Sequence, residues 1–229
     1  MPVGTRLFRY LSIQVHTVVT GPFQENSFLI LDPESREGVC IDPGDDPHSI
    51  VTTINNHDCN LKAIINTHAH MDHIGAVSAL KEMLNIPFYL HKEESLILDT
   101  YEETCQLFNL NTSKTPDVDY WFTDESSLTF GNLTFNLLFT PGHTPGGTSF
   151  MIEDHVFVGD TLFRGSVGRT DLPGGNWQIL ELSLIKLMEN IDHNFVIHSG
   201  HGPTTTMASE IKENPFLISL INRANEQLA

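Results

Sequence analysis

Short apolar runs separated by turn-forming residues dominate the first part of the chain. The runs at residues 13–19, 27–31 and 39–41 predict three neighbouring antiparallel strands, because Gly, Pro, Asn and Asp lie between them. Further along, the pattern predicts a helix at 47–55, a strand at 62–66, a helix at 76–84 and a strand at 87–90. The first half is therefore a meander of strands followed by a strand–helix–strand unit.

The second half of the chain predicts two strand pairs, a further strand and three helices. The expected elements are a helix at 93–110, a loop at 111–119, strands at 127–130, 133–138, 148–153, 155–158 and 194–197, and helices at 177–190 and 215–228. Residues 177–190 have the apolar spacing of an amphipathic helix that packs on a core. We therefore predict one α/β domain over residues 1–229, with two sheets and helices outside them.

Charge and composition narrow the classes of partner. The chain has 12 Lys and Arg against 29 Asp and Glu, and its formal net charge of −17 disfavours nucleic acids and anionic membranes. Residues 1–10 lack a signal-peptide pattern and no apolar run reaches the ~18 residues that a membrane span needs, so we expect a cytoplasmic location. Cys40, Cys59 and Cys105 are expected to be reduced thiols, with a disulfide or a nucleophile as alternatives. The sequence does not indicate whether the chain is a monomer or an oligomer.

The segment that follows the predicted strand 62–66 carries four candidate metal ligands. In an extended chain, His68 and His70 point to the same side and can hold one ion together. If the chain then turns into a helix, Asp72 and His73 can reach a second ion. Random placement would produce the pattern His-x-His-x-Asp-His only about 0.002 times in a chain of this composition. Chance is therefore a poor explanation of the cluster.

Three further candidate ligands stand just past predicted strand ends. His143, Asp160 and His201 each lie in a glycine-containing loop, where functional side chains gather in open α/β architectures. Glycine lets the backbone turn sharply enough to aim one side chain inward. Taken singly, a structural histidine or a helix-capping aspartate explains each of them. The recurrence of one pattern at three strand ends favours a shared metal site.

The ordered set His68-x-His70-x-Asp72-His73, His143, Asp160 and His201 resembles the metallo-β-lactamase superfamily over nearly the whole chain. The resemblance implies an αββα four-layer sandwich. It also implies a first metal on His68, His70 and His143, a second on Asp72, His73 and His201, and Asp160 as a bridge between them. The cofactor is then two divalent ions, in the first place zinc, with iron or manganese as alternatives. Asp42 is expected beside the site or, equally, as a turn former before Pro43.

Residues 159–175 are similar to short bacterial proteins of the glyoxalase II group, the hydroxyacylglutathione hydrolases. This similarity implies cleavage of a small anionic thioester such as S-lactoylglutathione by a hydroxide that bridges two metals. Asp72 is expected to be the catalytic residue that orients the hydroxide. Arg164 and Arg169 are predicted to bind the anionic substrate, with a structural salt bridge between Arg169 and Asp171 as the alternative for Arg169.

Several other functions remain open at this point. A mononuclear iron persulfide dioxygenase shares the fold and ligand set, and a lactonase or other ester hydrolase differs only in its leaving group. A metal-binding protein without catalysis is a further alternative. Full-length glyoxalase II enzymes contact glutathione through a helical C-terminal region, whereas 26 residues follow Pro203 here, so another thioester is an alternative to a glutathione thioester. A β-lactamase is disfavoured because Asp160 stands where the cysteine of those enzymes is expected.

Overall fold

The computed structural model describes residues 13–110 and 114–228, and its strands form two six-stranded sheets that share an apolar interface. The expectation for residues 1–10 and the part of the predicted loop at 111–113 lie outside the described residues. Within the described ranges, no helix is both long enough and apolar enough to cross a bilayer.

The first sheet contains six strands in chain order. They are β1 Gln14–Thr20, β2 Glu25–Leu31, β3 Glu37–Ile41, β4 Asn60–Ile65, β5 Phe88–His91 and β6 Tyr120–Phe122. Strands β1 to β3 form the predicted antiparallel meander, and β3 to β6 run parallel. The connections contain α1 Pro47–Asn56, α2 Met71–Ile74, α3 Val77–Leu84, α4 Ser95–Asp99 and α5 Tyr101–Leu107. Because parallel strands end at the same edge, the segments after β3, β4 and β5 meet there.

The second sheet is built from the rest of the chain. Its elements in sequence are β7 Ser127–Phe130, β8 Leu133–Phe139, β9 Thr148–Ile152, β10 His155–Gly159, the separate short hairpin β11 Leu162–Phe163 and β12 Ser166–Val167, α6 Trp177–Asn190, β13 Val196–Ser199, β14 Thr205–Thr206, α7 Met207–Glu213 and α8 Pro215–Leu228. The spatial order is β14-β13-β10-β9-β8-β7. Strands β10 and β13 are parallel, and two antiparallel pairings give β8 the same direction.

Alternating side chains build three apolar layers. In β3, Val39 faces the second sheet, whereas Cys40 packs with the helices outside the first sheet. In β10, Phe157 faces the first sheet, and Val156 packs with Leu184 of α6. Successive side chains of a strand point to opposite faces of the sheet, so a strand that is buried on both faces contributes to two apolar layers. Helices cover the outer face of each sheet, so the expected αββα sandwich is confirmed.

The structure differs from the sequence prediction in several elements. The helix expected at 93–110 is a 3-10 turn, Lys92–Glu94, followed by α4 and α5, which are separated at Thr100. The Thr100 hydroxyl donates to the Ile97 carbonyl, and this local bond helps to end α4. The strand expected at 194–197 is shifted to Val196–Ser199 by its pairing with β10. Strands β6, β11, β12 and β14 and helix α7 are not predicted, because they are too short for a clear periodicity.

The layered arrangement predicts very different effects for two leucines of α6. Leu184→Ala is expected to lower the free energy of unfolding by about 2–5 kcal/mol, because this side chain is fully buried against the second sheet. Leu182 is 66% exposed, and Leu182→Ala should change the free energy by less than about 0.5 kcal/mol. Urea denaturation followed by circular dichroism measures both values. Equal losses in the two variants would contradict the packing of α6 described above.

Candidate metal centre

The segments that follow β4, β8, β10 and β13 come together at one edge of the two sheets. They bring together the seven predicted ligands, His68, His70, Asp72, His73, His143, Asp160 and His201. His68 and His70 lie on the extended segment after β4, and Asp72 and His73 lie on α2. The change from extended chain to helix therefore turns these two pairs toward different groups of partners. The role of the seven side chains as ligands stays a prediction.

Two groups of three side chains have the spacing that a metal ion requires. One ligand atom from each of His68, His70 and His143 lies within 4.8 Å of the others, and the same holds for the group Asp72, His73 and His201. Asp160 lies between the groups. Its Oδ2 atom is 3.6 Å from Nε2 of His143 and 3.6 Å from Nε2 of His201, and its Oδ1 atom is 3.4 Å from Nε2 of His73. This is the position that a bridging carboxylate needs.

Unpaired buried atoms provide a test of whether the residues fit metal ions. His68 Nε2 is buried without a hydrogen-bond partner. His73 Nε2 and Asp160 Oδ1 are also buried and lie 3.4 Å apart, but they form no hydrogen bond with each other or with any other described atom. Such burial is costly for polar atoms, and buried polar groups are paired as a rule. Imidazole nitrogens and carboxylate oxygens are the ligands that zinc and iron accept. The donor set and its unpaired atoms therefore fit two divalent cations.

The electrostatic environment treats the two groups of histidines differently. Burial by itself lowers the pKa of His73, but the nearby Asp160 outweighs it and raises that pKa. Burial lowers the pKa of His68 and of His143, and burial together with the neighbouring His143 lowers the pKa of His70 to about 3. These imidazoles are therefore neutral near pH 7, with a lone pair to donate. Burial by itself raises the pKa of Asp160, but the attraction of His73 and the other imidazoles outweighs it and lowers that pKa.

Asp42 holds two of the predicted ligands in position. It follows β3, and its Oδ1 and Oδ2 atoms accept hydrogen bonds from the Thr67 backbone N–H and hydroxyl, at 2.7 and 2.6 Å. Asp42 Oδ2 also lies 3.1 Å from His73 Nδ1, and the Thr67 hydroxyl lies 3.0 Å from His68 Nδ1. Asp42, His68 and His73 form a third close group. We assign Asp42 to orientation, because both of its oxygens already accept hydrogen bonds.

Backbone carbonyls orient two more of the histidines. His143 Nδ1 lies 2.7 Å from the Arg169 carbonyl oxygen, and His201 Nδ1 lies 3.1 Å from the Phe23 carbonyl oxygen. A bond to one ring nitrogen leaves the other nitrogen to face a metal. The roles of these carbonyls and of Thr67 are not predicted from the sequence. Backbone atoms carry no residue signature, and a threonine next to a histidine is too common to mark a site.

A cavity of about 370 Å³ opens onto the two groups of ligands. Asp72, Asp160 and three of the histidines line it. The remaining lining residues are Phe23, Met71, Ile97, Thr100, Thr104, Phe108, Arg169, Leu172 and Pro173. The rings of Phe23 and Phe108 meet edge to face, with centroids 6.0 Å apart. The cavity thus combines one polar end, at the predicted metals, with a largely apolar wall.

The two arginines predicted to bind substrate have different positions. Arg169 lines the cavity and also forms an ion pair with Asp171, with two N–O distances of 2.7 Å. Arg164 lies in the turn between β11 and β12 and is not among the described residues that line the cavity. The salt bridge considered for Arg169 is therefore present. Substrate binding by either arginine stays a prediction.

The fold and this cluster of side chains define a class of protein. The chain belongs to the metallo-β-lactamase superfamily of metal-dependent hydrolases, whose family model matches residues 20–206. The match extends from the end of β1 to the end of β14. The histidine and aspartate groups fit the dinuclear metal site of this superfamily.

Three known proteins are similar to this chain over most of their own length. GloC of Haemophilus influenzae, a hydroxyacylglutathione hydrolase, is 33% identical over 211 residues, which cover 90% of this chain and 99% of GloC. The structure of TTHA1623 in a di-iron-bound form is 39% identical with a TM-score of 0.81, and covers 89% of this chain and 100% of that one. The B3 metallo-β-lactamase BLEG-1 is 36% identical with a TM-score of 0.84, at 89% and 99% coverage. GloC and BLEG-1 are named for different activities, so membership of the superfamily alone does not identify the substrate.

The contacts of Asp42 predict that its replacement weakens metal binding. Asp42→Asn keeps the shape of the side chain but removes one carboxylate oxygen that faces His73 and Thr67. We expect metal affinity to fall about 10- to 100-fold, which is typical for partners that orient a ligand. Titration of the metal-free protein with Zn²⁺ against a competing chelator measures the affinity. Asp32 is equally buried but bonds to Ser35 and Asn132, so Asp32→Asn is the matched control and should retain wild-type affinity.

Proposed function

We propose that this metallo-hydrolase cleaves a small anionic thioester such as S-lactoylglutathione, with two divalent ions, in the first place zinc, held by the seven predicted ligands. Similarity to GloC over 90% of the chain supports a substrate of this kind. The di-iron form of TTHA1623 makes iron the principal alternative metal. The donor set accepts either ion, because imidazole and carboxylate suit both.

Bound divalent ions lower the pKa of a water to near 7 and polarise the carbonyl that it attacks. The side chains of the protein orient the reactants. Asp72 lines the cavity, and its Oδ2 atom lies 3.3 Å from His201 Nε2. Burial raises the pKa of Asp72, but the contact with His201 outweighs it and keeps the carboxylate ionised. We assign Asp72 Oδ1 to accept a hydrogen bond from the attacking water, which aims the oxygen lone pair at the substrate.

The observation that carries the proposal is the chemistry of the cavity wall. Apart from the predicted ligands, the described lining residues are apolar or hydroxyl side chains and one guanidinium. None of these groups gives up a proton readily near neutral pH. A thiolate, whose thiol has a pKa of about 8.5, leaves without a proton, whereas an alkoxide or an amide nitrogen needs a general acid. The cavity therefore favours a thioester over an ester, a lactone or a β-lactam.

The cavity wall also supports a substrate with an anionic group and an apolar part. Arg169 is the one arginine or lysine among the described lining residues, and its partner Asp171 neutralises part of its charge. Phe23 and Phe108 are 38% and 45% exposed, so each ring offers an accessible apolar face at the cavity. Arg169 can hold a carboxylate while the apolar wall receives the remainder of the molecule.

Two substrates that differ in a single atom test the choice of leaving group. We expect kcat/KM for S-lactoylglutathione to exceed that for its oxygen-ester analogue by about 100-fold. Each value is first divided by the rate constant for hydrolysis of the same substrate by hydroxide without enzyme. The difference is expected because a general acid is worth about 10²- to 10⁴-fold and the cavity wall supplies none. Steady-state kinetics with the purified enzyme measures both substrates. Equal normalised values would contradict the thioester assignment.

The same kinetic panel includes the substrates of the other candidate functions. An acyl-homoserine lactone, a chromogenic cephalosporin and glutathione persulfide with an oxygen electrode represent the lactonase, the β-lactamase and the dioxygenase. If the enzyme turned over one of these substrates and did not cleave the thioester, the proposed function would be wrong and the function that matches that substrate would take its place.

The positions of the two arginines predict different kinetic effects. Arg169→Gln is expected to raise KM for S-lactoylglutathione about fivefold with little change in kcat, because an exposed ionic contact contributes little to binding. The Arg169 carbonyl that contacts His143 is retained, because only the side chain changes. Arg164→Gln removes the same charge outside the cavity and should leave KM within about twofold. A larger KM effect for Arg164→Gln would make Arg164 the substrate-binding residue.

A further inference from the structure

Glu94 is a buried carboxylate outside the set of predicted ligands. It ends the 3-10 turn after β5, and its side chain is fully buried. The Glu94 Oε2 atom accepts a hydrogen bond from the Ala69 backbone N–H at 2.7 Å. The Oε1 atom accepts one from the Gly146 backbone N–H at 2.6 Å. One side chain therefore joins the loop after β4 to the loop after β8.

The surroundings of Glu94 indicate that this contact requires a specific local structure. Glutamate is rarely fully buried, because the loss of water disfavours its charged form. Burial raises the pKa of Glu94 to about 7, although both backbone N–H groups favour the carboxylate. The approach also requires glycine at position 146, since a Cβ atom there would lie 2.7 Å from Glu94 Cγ and 2.8 Å from its backbone nitrogen. Glu94 and Gly146, which are far apart in sequence, therefore pack in direct contact.

The two joined loops carry one particular group of predicted ligands. Ala69 lies between His68 and His70, and Gly146 lies three residues after His143. The imidazoles delivered by the two loops are in contact, because His143 Nε2 lies 2.9 Å from His70 Nδ1. The second group of ligands is held in other ways. His73 faces Asp42, and His201 faces the Phe23 carbonyl.

We propose that Glu94 is a positioning residue for the first metal: it joins the loop of His68 and His70 to the loop of His143 and so sets the distance between their imidazoles. The inference rests on the proposed metal centre, but it does not depend on the substrate. Among the described residues, the backbone N–H groups that bond to the Glu94 carboxylate belong to these two loops, so its loss weakens the first metal position and spares the second.

Each metal position can be tested alone by removing a ligand of the other. In a His201→Ala background the first group remains complete, and in a His143→Ala background the second does. We expect Glu94→Gln to weaken Zn²⁺ binding about 10- to 100-fold in the His201→Ala protein and to leave it unchanged in the His143→Ala protein. The amide cannot accept from both N–H groups, since its NH₂ group is a donor. Chelator competition measures the affinity without any activity assay.

Glu210 provides a matched control in the same chain. It is also buried, and it accepts hydrogen bonds from the Gly165 backbone N–H and the Thr205 hydroxyl, away from the loops of the first group. Glu210→Gln should lower the thermal midpoint but leave the Zn²⁺ affinity in both backgrounds within about twofold. Gly146→Ala keeps the carboxylate but displaces it, so it should reproduce the effect of Glu94→Gln if the latter protein folds poorly.

The possible outcomes distinguish this inference from the proposed function. Unchanged Zn²⁺ affinity in His201→Ala after both Glu94→Gln and Gly146→Ala would overturn the role of Glu94 and leave the metal centre intact. Equal losses of Zn²⁺ affinity in the two backgrounds, or equal losses from Glu94→Gln and Glu210→Gln, would mean that Glu94 only stabilises the fold. If wild-type protein bound no divalent ion, the proposed function would fail together with this inference.

Discussion

The burial of unpaired nitrogen and oxygen atoms is the constraint on which the rest of the structure depends. His68 Nε2, His73 Nε2 and Asp160 Oδ1 are out of water and have no hydrogen-bond partner, an arrangement that divalent cations would stabilise. The opposite side of each ring is held in place, by Thr67 behind His68 and by Asp42 behind His73. The hydrogen bonds with Thr67 and Asp42 point the unpaired ring nitrogens toward the predicted metal positions. Hydrogen bonds within the protein therefore orient the donor atoms of the site.

The strand order explains how distant segments meet. In the first sheet β3, β4 and β5 are parallel, so Asp42, the loop of His68 and Glu94 all follow strand ends at one edge. In the second sheet β8, β10 and β13 share a direction and deliver His143, Asp160 and His201 to the same edge. Two bound dications would outweigh the two ligand carboxylates. The centre would then be locally cationic in a chain of net charge −17, which favours entry of an anionic substrate.

Local patterns predict much of this arrangement, and contacts between distant residues account for what they miss. Most strands and long helices follow from periodicity. The spacing His-x-His-x-Asp-His separates the two pairs of ligands only if a helix begins after His70, and α2 begins there. The break at Thr100 and the shift of β13 depend on a side-chain bond and on strand register, which periodicity does not encode. Asp42 and His73 are 31 residues apart, and Glu94 and Gly146 are 52 apart, so only the folded chain reveals their contacts. Glu94 also stands at a helix start, where an acidic residue is ordinary and usually exposed.

Anomalous X-ray diffraction from crystals grown with Zn²⁺ tests the two-metal centre most directly. Two peaks about 3.5–4 Å apart are expected, with Asp160 between them. One peak should be bound by His68, His70 and His143 and the other by Asp72, His73 and His201, at about 2.0–2.2 Å from the ligand atoms. A single peak, or a peak enclosed by Asp42, His68 and His73 with His143 and His201 turned away, would contradict the two-metal centre.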